Sequence, residues 1–229
     1  MGCPFLLSNG QVFEQGHPMR YLLLLTALLL AGCQSPYLSM MEKAGIPKRE
    51  ILAHRVEDAR SAQIKARYQF NRALEHYRQA LDAQGGDAEQ RYADLQRDYA
   101  ASEKAAAAVK PRVDQVQQVA EAMFEEWDDE LADYQTPSLK AASAQELAQT
   151  REQYAELMQN MRAAESRVLP ALGALNDQLL FYKHHMNAQT VGNLQQGYST
   201  VSGTVAPLLL DMQRSIDGAG GLIQRLQSP

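Results

Sequence analysis

An all-α fold, an elongated antiparallel bundle or coiled coil of four long helices, follows from three observations. Apolar residues recur at alternating spacings of three and four over most of the chain after residue 47. Charged and aliphatic helix formers dominate while aromatics make up only 7% of the chain, and Pro and Gly are sparse between residues 47 and 170. No alternating run bounded by hairpin signals offers a strand.

Residues 1–32 read as a signal peptide. The apolar run from Tyr21 to Leu30 is ten residues, short of the ~20 that span a bilayer. It closes on Leu30-Ala31-Gly32-Cys33, small residues directly before a cysteine, as a cleavable signal does. This resembles the bacterial lipoprotein signal, in which the thiol is diacylated and becomes the mature N-terminus. The resemblance implies a lipid on Cys33, and Gln34 in place of Asp implies sorting to the outer membrane, facing the periplasm. Synthesis is expected to begin at Met19, because Met19-Arg20 supplies a start and a positive charge while Met1 to Pro18 contributes nothing a signal needs. A myristoylation start at Met1-Gly2 fails on Leu6, where Ser or Thr is required.

Residues 33–46 form the lipidated N-terminus and a tether, with Pro36, Gly45 and little periodicity, able to reach ~45 Å if extended. A single helical domain then covers 47–226. Pro47 suits a helix start, where its missing N–H has no intrahelical partner. The first seam runs Leu52, Val56, Ala59, Gln63, Ala66, Phe70, Ala73, Tyr77, Ala80, ending at Gly85-Gly86. Asp87 can cap the second helix, whose seam runs Tyr92, Leu95, Tyr99, Ser102, Ala106, Val109, Val113, Val116, Ala120, Met123, Trp127. Pro111 falls between seam positions and predicts a kink, since the Ala107 carbonyl loses its partner.

Thr136-Pro137-Ser138 is a turn signal, with Ser138 as the cap of the third helix. That seam runs from Leu147 through Leu157, Met161 and Ala171 to Leu175, then steps by four to Leu179, a stutter near Pro170 and Gly173 where the helix is softest. The fourth helix carries Val191, Leu194, Tyr198, Val201, Val205, Leu208, Met212, Ser215, Ala219, Leu222 and Leu226 on one face. Its seven Gly and Pro residues cost ~1 and ~3 kcal/mol each, so it depends on its neighbours. The first and fourth helices are ~57 Å long and the middle two ~72 Å, so the central hairpin should overshoot by ~15 Å on the side of the lipid anchor.

After removal of residues 1–32 the chain keeps 21 Lys and Arg against 26 Asp and Glu, a net charge of −5. With no basic cluster and an exported address, nucleic acid is not an expected partner. Cys3 leaves with the signal, so no disulfide and no cysteine metal site is expected. His184 and His185 are adjacent, ~100° apart on a helix, and do not share a metal; none is expected, nor any cofactor. Phosphate-loop, zinc-protease and serine-hydrolase motifs are absent, so the expectation is a protein without enzymatic activity and without catalytic residues.

One cluster stands out. Glu125, Glu126, Asp128, Asp129, Glu130 and Asp133 surround Trp127 at the end of the second helix, where negative charge opposes the helix dipole. Its functional reading is an interaction tip for a basic partner or a weak divalent-cation site; the plainer reading, favoured because charge runs are usually soluble surface, is a solvated helix end with Trp127 in the core.

Finally, Met41-Glu42-Lys43-Ala44-Gly45-Ile46-Pro47-Lys48-Arg49-Glu50-Ile51-Leu52, Arg55-Val56-Glu57-Asp58-Ala59-Arg60, Ala122-Met123-Phe124-Glu125-Glu126-Trp127 and Phe181-Tyr182-Lys183-His184-His185-Met186-Asn187-Ala188 resemble an uncharacterised bacterial lipoprotein family. It is the domain-of-unknown-function family 2959 (DUF2959), and the resemblance spans Cys33 to about Leu226. It implies a class and transfers no activity. The function expected is a lipid-anchored, periplasm-facing coiled-coil scaffold of the bacterial envelope that presents helical surfaces to an envelope protein. The alternative is a binder of lipid or an apolar ligand within the bundle, walled by Leu169, Leu172, Leu179, Phe181 and Leu209. Oligomeric state is left open.

Overall fold

The computed structural model describes residues 38, 40, 41, 43–82, 88–184 and 191–228. The signal peptide, Cys33, the Gly85-Gly86 turn, Asp87 and His185 lie outside the described residues. Among those described, five long helices and no strand are found: α1 Lys48–Asp82, α2 Ala88–Ala107, α3 Val109–Asp133, α4 Pro137–His184 and α5 Val191–Gln227. None is long and apolar enough to cross a membrane.

The helices run up, down, up and down, with α2 and α3 sharing the second arm. Arg49 at the start of α1 meets Leu226 at the end of α5, and Tyr77 near the end of α1 stacks on Tyr198 near the start of α5. Around the bundle α1 packs on α5 and on the α2–α3 arm, while α4 packs on α5 and more loosely on that arm. This is an antiparallel four-arm bundle of coiled-coil type.

Spacing of three and four placed the seams correctly. From Leu52 to Tyr77 every seam residue of α1 is buried, and the same holds from Val201 to Leu226 on α5. Burial also extends to Ile51, Ala53, Ala62, Val119, Phe124, Leu172 and Ile216, beside the seams. Each arm touches two neighbours, so its apolar stripe is wider than a two-stranded coil requires. Above the main core, Tyr77, Leu95, Leu179 and Tyr182 form a second small cluster that closes the upper end.

Three local details refine the expectation. The second arm is interrupted where Pro111 predicts a kink: α2 stops at Ala107, Ala108 keeps a right-handed helical backbone (φ −81°, ψ −14°) with its N–H bonded back to the Ala105 carbonyl at 3.3 Å, and α3 follows from Val109. Pro111 is the cause, since without its N–H the turn before it has nothing to hold the Ala107 carbonyl. Arg112 stabilises the restart by donating to the Ala108 carbonyl at 2.8 Å. By contrast α4 and α5 run unbroken through Pro170 and Pro207. Second, α4 begins at Pro137, with the Thr136 carbonyl accepting from the Lys140 N–H at 3.0 Å, so Thr136 rather than Ser138 is the capping position and Pro137 the first helical residue.

Third, the described part of the tether is not extended. The Ala44 and Ile46 N–H groups both return to the Met41 carbonyl at 3.0 Å, and Gly45 takes φ +80°. This is a Schellman ending, which requires a residue free to enter the left-handed region. Leu38, Met41 and Ile46 pack against the main core.

Candidate interaction tip

Beyond the lower end of α1 and α5, the α3–α4 hairpin continues alone. Lys48, the first residue of α1, pairs with Glu126 at 3.2 Å, and Arg49 pairs with Glu146 at 3.0 Å. The seven residues of α3 after Glu126 and the nine of α4 before Glu146 therefore project by ~10–14 Å. Asp128 to Glu130 and Ala132 to Ala142 are exposed. The overshoot expected from helix lengths is present.

Arg49 organises the base of this projection. Its guanidinium donates to the Leu226 carbonyl at 2.8 Å and the Arg225 carbonyl at 3.0 Å, capping α5 where the helix leaves carbonyls without partners. It also lies 5.9 Å from the Trp127 ring centroid, and Trp127 Nε1 donates to Ser143 Oγ at 2.8 Å. Trp127 is thus a half-buried staple between α3, α4 and α1. Arg151 holds Asp128 through both carboxylate oxygens, donates to the Phe124 carbonyl at 3.3 Å and sits 5.2 Å over the Phe124 ring.

The acidic cluster is therefore divided. Glu126 and Asp128 are paired within the bundle, and Trp127 is held in the packing. Glu125, Asp129, Glu130 and Asp133 are exposed and make no ion pair among the described residues. They ring the C-terminal end of α3, where their charge adds to the negative end of the helix dipole. Beside them runs an open groove of about 530 Å³, lined by Pro47, Trp127, Glu130, Tyr134, Leu139 and Ser143 among others. Leu139 is 57% exposed there. Arg49 and Arg151 were not singled out from sequence; Arg49 lies in a segment that carried the family resemblance, but nothing in one-dimensional spacing tied it to Trp127.

Elsewhere the structure buries two carboxylates that the expectation of solvated Asp and Glu missed: Asp211, 7% exposed, is paired with Arg167 at 2.6 Å and Arg214 at 3.2 Å, and Asp98 joins two helices. Asp98, 2% exposed, accepts from His76 Nδ1 at 2.5 Å and pairs with Arg72 Nε at 3.1 Å, clasping α2 to α1. Of the residues expected to wall an apolar cavity, Leu172 and Leu179 are core residues while Leu169 points to solvent at 77% exposure. Gly218 brings α5 to within 3.6 Å of the Leu157 side chain, measured from the Cβ position it lacks.

A model of the family described as a protein of unknown function (DUF2959) matches residues 37–226. No curated protein matches the chain.

Proposed function

We propose, from the premise that the chain belongs to the DUF2959 family, that it is a lipid-anchored scaffold of the bacterial envelope, facing the periplasm and docking a basic protein partner at its projecting hairpin. The observation that carries this reading is the set of four carboxylates, Glu125, Asp129, Glu130 and Asp133, left without ion pairs among the described residues at a helix C-terminus beside an open groove. Negative charge there costs the monomer stability, and a cationic partner removes the cost.

Anchoring through Cys33 supplies the location. Because the chain packs onto the bundle from Leu38, only residues 34–37 separate Cys33 from the body. The five steps from Cys33 to Leu38 reach ~18 Å at most, so an acylated Cys33 holds the base and its hairpin close to the bilayer rather than ~45 Å away. Outer-membrane placement rests on Gln34 following Cys33.

The test is site-specific photocrosslinking from Leu139 in intact cells. The scaffold reading expects a protein adduct that weakens when Glu130 and Asp133 are both changed to Lys. Recovery of no protein, from the hairpin or from any helix face, contradicts it.

A further inference from the structure

The seams that bury the α3–α4 pair continue past the residues where α1 begins. On α3, Met123 is buried, and Trp127, Glu130 and Tyr134 follow it at steps of four, three and four. On α4, Leu147 is buried, and Ser143 and Leu139 precede it at successive steps of four. These continuations line the groove of about 530 Å³, which Pro47, Lys48 and Arg49 close at its upper end. None of the described residues 38–46 lines it. The hairpin thus carries on the pattern that packs a helix, with no helix against it among the described residues. Tyr134 is 39% exposed, and Leu139 and Ala142 are exposed beside it. Negative charge follows one rim of the groove. Glu126, Glu130 and Asp133 stand at i, i+4 and i+7 on α3, so they form a single row. Lys48 takes Glu126 and Arg49 takes Glu146, whereas Glu130 and Asp133 make no ion pair among the described residues. From Trp127 to Gln145 the sequence holds four carboxylates and a single cation, Lys140.

Resting on the reading of the hairpin as a docking tip, we infer that the groove receives a short basic amphipathic helix of the partner. Its apolar stripe lies on Trp127, Tyr134 and Leu139, and its Lys or Arg residues meet Glu130 and Asp133. Charge and pattern select this occupant together. A second copy of the hairpin brings the same acids to the same place, and a fatty acid or anionic lipid sets its own charge against Glu130. A basic tail without apolar anchors answers the carboxylates but leaves Tyr134 and Leu139 uncovered. A helix presents apolar side chains at i, i+3 or i+4, and i+7, the repeat that the α3 and α4 seams extend into the groove. The ~10–14 Å projection accepts about two turns of it.

The test is a titration of the full chain carrying Cys33→Ala, which removes the lipid and the need for detergent. Three synthetic probes without tryptophan are used: a three-heptad helix with leucine on one face and lysine on the other, the same helix with glutamate for lysine, and an oligolysine of equal charge. Trp127, the chain's single Trp, lines the groove and reports occupancy through its emission. The lysine helix is expected to bind saturably and at least tenfold more tightly than oligolysine, and the glutamate helix not to bind. Leu139→Asp, at an exposed position, should weaken the lysine helix at least tenfold with an unchanged melting temperature. That substitution adds negative charge, so the loss reports the apolar contact and not the field. Glu130→Lys combined with Asp133→Lys should weaken it equally, while Glu152→Lys on the exposed side of α4 should not. Oligolysine bound as tightly as the helix, a glutamate helix that binds, or a lysine helix indifferent to Leu139→Asp would overturn the inference and leave a basic partner at the hairpin standing. Binding of no cationic probe would overturn both.

Discussion

Arg49 carries more of the lower end than any other side chain, because one guanidinium caps α5, pairs with Glu146 and covers the Trp127 ring. Arg49→Ala is expected to lower stability by about 2 kcal/mol, the range for hydrogen bonds to a charged group, and Arg49→Lys to recover only part, since an ammonium cannot reproduce the fork. Urea unfolding followed by the emission of Trp127, the chain's single Trp, measures both. A midpoint unchanged by Arg49→Ala would contradict the role assigned. Gln63 is the opposite case: it is fully buried on the α1 seam, and neither amide atom has a partner among the described residues. Gln63→Met should raise the urea midpoint, by about 1–2 kcal/mol of stability, because an unpaired buried amide costs more than a thioether of similar length. Burial pushes the hydroxyls of Tyr77 and Tyr154 up from 10.0 to about 12. In the unfolded chain they ionise near 10, so between those values the folded state holds more protons. The stability they confer is complete below pH 10 and is lost as pH rises through 12. Melting temperature should fall across that window, and less steeply in Tyr154→Phe.

Among the elements, α5 sets two glycines against each other. A Cβ at Gly197 would stand 2.0 Å from Gln178 Oε1 and 2.9 Å from Tyr77 Oη, so Gly197→Ala must displace the Tyr77–Gln178 hydrogen bond and is expected to destabilise by about 1 kcal/mol. Gly221 faces open space, and Gly221→Ala should stabilise by a similar amount through helix propensity alone. Thermal unfolding of the two variants decides, and equal signs would show that α5 is not held as described. Legibility at this scale follows the same physics. The seams could be read because Leu52, Phe70, Val113 and Leu208 repeat along one helix, which is a local property of the chain. The interruption at Ala108 was legible too, since Pro111 acts on a carbonyl a fixed four residues earlier. The ion pairs of Arg49, Arg151 and Asp98 join residues on different helices, and no spacing rule encodes them. The capped turn ending at Gly45 was readable in part: Gly followed by Ile and Pro is a stop signal.

At the scale of the molecule, two unequal pairs of helices make the two ends differ among the described residues. The upper end is closed by Tyr77, Leu95, Leu179 and Tyr182, while the lower end extends into a hairpin whose acidic residues exceed their partners. Helix lengths foretold that asymmetry, and Glu125, Asp129, Glu130 and Asp133 were named from sequence as its chemistry. Which of the six acids would be neutralised was not legible, because Lys48 and Arg151 reach them only in the folded bundle. The proposed docking role requires this end to be held at a membrane by Cys33, since a body reaching only ~18 Å from its anchor presents the hairpin at the bilayer and a free one does not. Two or more acyl chains give stable retention where one gives marginal binding. The direct measurement is metabolic labelling with a fatty-acid analogue followed by membrane fractionation of the unaltered chain and of Cys33→Ala. Label and membrane retention are expected for the first and neither for the second; an unlabelled parent chain, or a Cys33→Ala form still labelled in the membrane fraction, would overturn the lipid anchor.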